Sequence, residues 1–494
     1  MPNQQAYSMA SILDSCKRST DFVTTPLSTG KESFSFSYYK TLIDVEGLGH
    51  LLHALQTAAQ TEEIGDLRGL LAHVPMDGLE TDPDPERVRE QIFKGCLLVY
   101  RDSDPEGPCA LIPVPAKKGL RSSNETDMEF SVVGPKIGFI EDLDTNIHLL
   151  RAQLNTPDLV LKEILVGSIS RSRVALMYID GVANEENVAK MEKRLRAIDF
   201  DVVFDTSQLD QIISDNSRTP FPLFTTTERR DRVVYALITG QVAVISEGSP
   251  YFITGPSTLF DFFLSPEDYF LPWILGSFFR MIRIFGVIFS LFASSFYVAL
   301  MTYHYEVIPK ELLGRLIYSR ENVPFAPFLE ALFLEITVEF LREAGARLPS
   351  RIGQSLGIVG GIILGQAAVE ASLTSNILII IVSLSALTSF VTPIYKMSNA
   401  IRFLRFPIIL LAAVWGSLGI AIAVCFLLVH LSRLRSLGYP YTVPFFPVRV
   451  KDMKDSLIRP SYAVTGTRPS YLKPRSRIRY KPEAERKSND FDEE

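Results

Sequence analysis

The sequence predicts an α+β protein in which two related α/β soluble subdomains are followed by a polytopic α-helical membrane domain. Three observations carry that prediction. Long apolar, charge-free runs are confined to the second half of the 494 residues, the first half alternates strand-like and helix-like segments, and the first half repeats itself. A hydrocarbon core about 30 Å thick takes roughly 20 helical residues to cross. Four stretches meet that need: Ile284–Tyr305, Ile352–Val369, Ala371–Tyr395 and Phe406–Ser432. Buried helices of soluble proteins seldom run so long without a charge.

Taken in order, residues 1–30 are polar and mixed, which predicts a disordered N-terminal segment. They show no basic start followed by an apolar run, so no cleaved secretory signal is expected and the first half is expected to stay cytoplasmic. Residues 31–153 form the first α/β subdomain with its linker, and 154–260 the second. The β-type run Phe36–Asp44, followed by the helix-like Val45–Ala59, resembles Val174–Asp180 followed by Asn184–Ile198. Further on, Arg87–Gly95 leading into the strand Cys96–Tyr100 resembles Arg232–Gly240 leading into Gln241–Ile245. In both copies a glycine ends the helix and a hairpin-like pair follows, as expected where the residue after a helix takes a left-handed conformation. The offsets, 136 and 145 residues, point to a duplication. Between the copies, Gly134–Asn146 is rich in turn and capping residues and reads as a structured linker able to fix the angle between subdomains.

Residues 261–435 make up the helical transmembrane domain. Residues 436–494 form a basic tail, expected to be largely disordered, with twelve Lys and Arg against four acids between Arg449 and Lys487 and prolines at 460, 469, 474 and 482. Such a segment buries little apolar surface and can lie on anionic headgroups.

The formal charge of −6 argues against nucleic acid as a partner. Cys16, Cys96, Cys109 and Cys425 have no metal-like spacing and read as free thiols. No P-loop, GxGxxG, HExxH or GxSxG is present, and His50 and His53, three apart, most simply share a helix face. Neither enzymatic activity, nor a cofactor, nor a metal is expected.

The unusual chemistry lies in the membrane half. In Pro324–Gly345 the residues Glu335, Glu339, Arg342 and Glu343 fall within about one third of a helix circumference, while Glu330 points elsewhere. An ionised residue at mid-bilayer costs roughly 2.5–3.5 kcal/mol on insertion scales, so this face must meet protein or water. It reads as the lining of an ion path, as a buried network of the Glu339–Arg342 kind, or as an interfacial helix with its charges in water. In the next stretch Gly353, Gly357, Gly361 and Gly365 form overlapping GxxxG units, a spacing that lets helix backbones approach closely. Ser355, Gln366 and Glu370 lie on the side away from most of the glycines, so one face can pack while the other meets polar contents. Orientation rests on basic residues. Arg280 and Arg283 before the first span and the basic tail after the last place both ends inside, with the Glu-bearing helix partly re-entrant or interfacial. Lys396, Arg402 and Arg405, read as a further inside loop, leave four or five crossings open.

With these residues in place, the chain resembles the A subunits of spore germinant receptors, the GerA family of spore germination proteins. The resemblance runs from about Phe34 to Ile458. It is strongest in Gly134–Asn146, Thr227–Val233, Ser265–Tyr269 and across Arg320–Glu370, where Arg320–Phe325 followed by Leu341–Pro349 is long and specific. Arg230 stands where the family usually has proline and Glu247 where it usually has aspartate. The resemblance implies a multi-pass protein of the spore inner membrane, with its soluble domain on the core side, acting with a polytopic B subunit and a lipoprotein C subunit. It further implies A subunits assembled as a homo-oligomer into a nutrient-gated cation channel. A solute transporter and a non-conducting scaffold are the competing readings; inverted repeats among the spans would favour the transporter, and none is visible.

Overall fold

The computed structural model describes residues 8–29, 32–61, 66–74, 79–114, 126, 129, 133–347, 361, 363, 365–462 and 465–480. They divide into two compact units. One comprises Met1–Ser214, Thr226–Pro256 and Tyr462–Glu494, the other Asp215–Thr225 and Ser257–Ser461.

The first unit holds two subdomains. α1 (Met9–Lys17), β1 (Phe22–Ser28), β2 (Ser33–Tyr39), α2 (Val45–Thr61), α3 (Leu67–Leu71), β3 (Glu80–Thr81), α4 (Pro85–Ile92), β4 (Cys96–Arg101) and β5 (Asp104–Pro113) build the first. α5 (Leu143–Gln153), β6 (Leu159–Val166), β7 (Ser172–Ile179), α6 (Glu185–Arg196), α7 (Thr206–Ile213), β8 (Thr225–Thr227), α8 (Arg230–Thr239), β9 (Val242–Ser246) and β10 (Phe252–Gly255) belong to the second. The sheets run β1-β2-β4-β5-β3 and β6-β7-β9-β10-β8, the same order displaced by five strands. The repeat read from sequence thus pairs β2 with β7, α4 with α8 and β4 with β9. Gly95 and Gly240, which end the paired helices, have φ of 91° and 102°, a region L side chains avoid.

Strand periodicity sorts the core. Leu97 and Val99 of β4 face Phe34, Phe36, Leu48 and Leu55. Leu98 and Tyr100 turn to the opposite face, against α1 and α4. In the second subdomain Leu161, Ala175, Met177 and Ala243 meet Leu143, Ile147 and Leu150 of α5 and Val233 and Leu237 of α8.

Two expectations are corrected here. The N-terminal segment is ordered from residue 8. Met9, Ile12, Leu13 and Cys16, spaced i, i+3, i+4, i+7, bury one face of α1, and Ser8 caps it by accepting from the Ser11 amide. The tail is ordered through much of its length. Arg468 Nε donates to the Ile238 carbonyl at 2.7 Å, Arg475 N to the Val182 carbonyl at 3.1 Å, and Tyr471 and Leu472 are buried. Here arginines serve as hydrogen-bond donors to backbone carbonyls, so a basic, proline-rich composition does not prevent order.

The two subdomains are joined by a buried ion pair. Arg151 of α5 donates to both Asp21 carboxylate oxygens, at 2.7 and 2.6 Å, and to Ser19 Oγ at 2.7 Å, with its guanidinium 4.2 Å from the Tyr39 ring centroid. The linker sets this up, because Asp142 caps α5 by accepting from Thr145 N at 2.7 Å. Asn146 fastens the approach by accepting from Ile140 N at 2.8 Å.

The second unit is a helical bundle built from α9 (Glu267–Phe270), α10 (Trp273–Thr302), α11 (Lys310–Arg320), α12 (Pro327–Arg347), α13 (Asn376–Ser389) and α14 (Tyr395–Arg433). Residues 365–370 are also helical. α12 and α13 run antiparallel to α10: Ser294 meets Glu335, Tyr297 meets Ser375, and Ser385 donates to the Ser290 carbonyl at 3.1 Å. Gly416, with φ 59° and ψ −136°, breaks α14. Residues 411 and 419 would lie about 12 Å apart along one helix, yet a Cβ on Gly419 would collide with the Leu411 carbonyl. The chain therefore folds back. The first half follows α10, with Arg405 beside Ser290 and the Tyr303 hydroxyl donating to the Ala413 and Val414 carbonyls at 3.0 Å. The second half returns until His430 meets Thr219 at 2.9 Å.

These helices revise the expected spans. Among the described residues, α10 and α14 have the length and apolarity to cross a membrane. α10 begins at Trp273, well before Ile284. The expected span Phe406–Ser432 contains the fold-back at Gly416. Within Ala371–Tyr395 the helix that could cross is the fourteen-residue α13, about 21 Å of rise. Most of Ile352–Val369 lies outside the described residues.

Candidate functional site

The bundle interior gathers three of the sequence-predicted polar residues, Glu335, Glu339 and Arg342. α10 supplies Ser290, Ser294 and Ser295, all buried, which leave no bulk between it and its neighbours. Into that space α12 projects Glu335 and α14 projects Arg405, each about 1 % exposed. Glu335 accepts from Arg405 Nη1 and from Ser294 Oγ, and Arg405 Nη2 donates to Ser290 Oγ at 2.7 Å. One turn on, Glu339 accepts from Arg402 Nη1 at 3.2 Å and faces Arg342 at 3.7 Å. Arg342 itself donates to Ser389 Oγ at 3.0 Å and stacks 4.5 Å from the Phe390 ring centroid. Arg402 and Arg405 are therefore partners of acids within a helix. They do not form the inside loop expected from sequence, because pairing removes the cost of burying either charge alone. Arg280 and Arg283, expected to mark the membrane boundary, are likewise buried against Asp268.

Glu330, set aside in the sequence reading, is fully buried. Its Oε1 accepts from Ser375 N at 2.6 Å and Thr374 Oγ1 at 3.1 Å, and Arg320 Nε lies 3.2 Å from Oε2. It thus clasps the turn between the helical residues 365–370 and α13, satisfying a backbone donor at a helix start. The available signal was Arg320 ten residues upstream with Thr374 and Ser375 beside an apolar run. No local periodicity links them.

The remaining predicted residues separate. Glu343 is exposed and pairs with Arg347 at 2.6 Å. Gln366 and Glu370 are exposed on the helical residues 365–370, and Gly361 is exposed too. A Cβ at Gly361 or Gly365 would meet no heavy atom within 4 Å. The small-residue face is therefore not packed against another helix of the same chain among the described residues. Gly353, Ser355 and Gly357 lie outside the described residues.

In the soluble unit, burial alone would push the Asp21 carboxyl up, but the Arg151 guanidinium and the Ser19 and Thr41 hydroxyls hold it below its ordinary value. Burial pushes the Cys109 thiol up to about 11 and raises Cys16, which keeps both unreactive.

A unit of two five-stranded subdomains with matching strand order and a helical bundle with charges paired inside it define the class of protein. The Bacillus/Clostridium GerA spore germination protein family matches residues 10–471, and the chain belongs to that family. It is similar to spore germination protein GerQA of Bacillus cereus, 44% identical over 100% of this chain and 99% of that one. Spore germination protein A1 of Bacillus subtilis (strain 168) is 37% identical over 86% of this chain and 87% of that one. The uncharacterized membrane protein YfkQ of the same organism is 34% identical over 78% and 74%. Among solved structures, the N-terminal domain of the A subunit of the Bacillus megaterium spore germinant receptor GerK3 aligns with 52% of this chain and 99% of its own, at 22% identity and a TM-score of 0.39.

Proposed function

We propose that this chain is the A subunit of a nutrient germinant receptor of the spore inner membrane. Its helical unit spans the bilayer, and several copies assemble into a nutrient-gated ion channel that works with a polytopic B subunit and a lipoprotein C subunit. The observation that carries the reading is the helical segment 365–370 together with Gly361. Among the described residues a Cβ on Gly361 or Gly365 would meet nothing, and Gln366 and Glu370 are exposed, in a bundle whose buried Glu330 and Glu335 are paired with arginine. Facing lipid, an ionised Glu370 would cost on the order of 2–3 kcal/mol. A ring of copies removes that cost by packing the glycines against a neighbour and turning the polar side to water.

The test is Gly361→Leu in spores, read as cation release after nutrient addition. Loss of release with the protein still present in the membrane fraction is expected; unchanged release and germination would overturn the proposal. A scaffold is the second reading, favoured by the pairing of Glu335 and Glu339 with arginines, which assigns α12 to internal bracing. Purified chain in vesicles that passes no ions, whatever stands at position 370, would select it.

A further inference from the structure

The segment that follows the last helix carries an apolar edge that the bundle does not cover. Phe446, Val448 and Val450 are 61%, 70% and 73% exposed, and Leu457 and Ile458 are exposed as well. Lys451 stands exposed between them and Arg449 is half-buried. The edge is held in shape: Phe446 N donates to the Thr442 carbonyl at 3.2 Å, Thr442 Oγ1 to the Phe446 carbonyl at 2.9 Å, and Arg449 N to the Pro444 carbonyl at 2.8 Å. Behind it, Phe445 packs on Phe260 with ring centroids 4.7 Å apart, and Tyr441 is fully buried.

The position of this edge along α10 is fixed. Arg280 Nη1 donates to Asp455 Oδ1 at 3.0 Å, the Tyr269 hydroxyl donates to Asp455 at 2.8 Å, and Ser277 Oγ donates to the Arg459 carbonyl at 3.0 Å. The segment therefore runs level with the opening turns of α10, where Trp273, Ile274 and Phe278 are themselves exposed. Aromatic and aliphatic side chains interleaved with cations, level with the mouth of an apolar helix, have the composition of the headgroup boundary.

We infer that residues 442–458 form an interfacial anchor whose Phe446, Val448 and Val450 insert at the headgroup–acyl boundary of an anionic phospholipid bilayer, with Arg449 and Lys451 at the phosphates. The cations beside the apolar side chains select an anionic lipid surface as the occupant; a protein partner is the other outcome the test admits. The inference rests on the membrane reading given above.

The experiment uses the full chain in phosphatidylglycerol-containing vesicles with phospholipids brominated at shallow or deep acyl positions. Two single-tryptophan forms are compared. One carries Phe446→Trp with Trp273→Phe and Trp415→Phe; the other keeps Trp415, exposed on α14, with Trp273→Phe. Loss of Phe446→Trp fluorescence to shallow bromine, greater than the loss to deep bromine, is expected. Quenched Trp415 beside a Phe446→Trp signal that ignores bromine and yields to aqueous iodide overturns this inference alone. A blue-shifted Phe446→Trp signal deaf to both quenchers overturns it in favour of a protein contact. Unquenched Trp415 overturns the membrane reading and this inference with it.

Discussion

The buried charges act as pairs. Removing one member of a buried pair leaves the other uncompensated, at a cost of about 3–5 kcal/mol. Arg151→Met should therefore lower the stability of the soluble unit by that order, read as faster hydrogen exchange at β1 and β6. The pH dependence follows from the depressed Asp21 carboxyl. Its stabilisation is fully present above the unfolded value near 3.8 and is lost as pH falls through the lower folded value. Exchange protection at β1 should thus hold down to pH 4 and fail below it, and Asp21→Asn should abolish that acid transition. In the bundle, Glu335→Ala should destabilise more than the double change Glu335→Met with Arg405→Met, since the double change leaves no orphan charge. Thermal unfolding of the detergent-solubilised chain checks the order. Sequence flagged Glu335 as needing a partner but could not name Arg405, because the two meet across seventy residues through a serine-lined gap that has no periodic signature.

At the scale of elements, glycine conformation decides two joints. Gly95 and Gly240 were legible, since each follows a helix and precedes a strand. Gly416 was not, because it sits inside an unbroken apolar run and composition alone reads one long helix. A Cβ at Gly416 would meet Tyr303 and the His304 ring at about 3.0 Å and would hold a strained positive φ. Gly416→Val should cost about 1–3 kcal/mol, seen as a lowered midpoint when unfolding is followed by Trp415 fluorescence. The short α13 has a related explanation. Its missing turns are replaced by residues 371–375, whose buried Thr374 and Ser375 are bonded by Glu330. Irregular backbone is tolerated within a bilayer where protein satisfies it. Glu330→Gln should weaken this clasp, and Glu330→Asp should restore part of it if reach is all that is lost; protease sensitivity of the 365–375 region reports both.

For the whole molecule, sequence revealed the division into a duplicated soluble part and an apolar part because both are written in local patterns: strand alternation, a glycine after each helix and charge-free runs. The ordered ends escaped notice. α1 is only nine residues long, and the tail earns its order from hydrogen bonds to distant carbonyls, which composition does not encode. The exposed Glu370 belongs to this scale too, since the proposed path is made of several copies of the chain. Glu370→Lys should reverse the charge at the proposed path and reduce cation flux while leaving assembly size unchanged, as read by flux assay beside chromatography of the solubilised complex.

The fold-back at Gly416 bears on how such a chain is made. A single 39-residue helix would deliver its C-terminal end to the opposite side of a bilayer, dragging a tail rich in arginine and lysine across. A helical hairpin enters and leaves on one side. A bilayer crossed by such a hairpin would leave the basic tail on the side where α14 starts, with no arginine-rich segment to carry across.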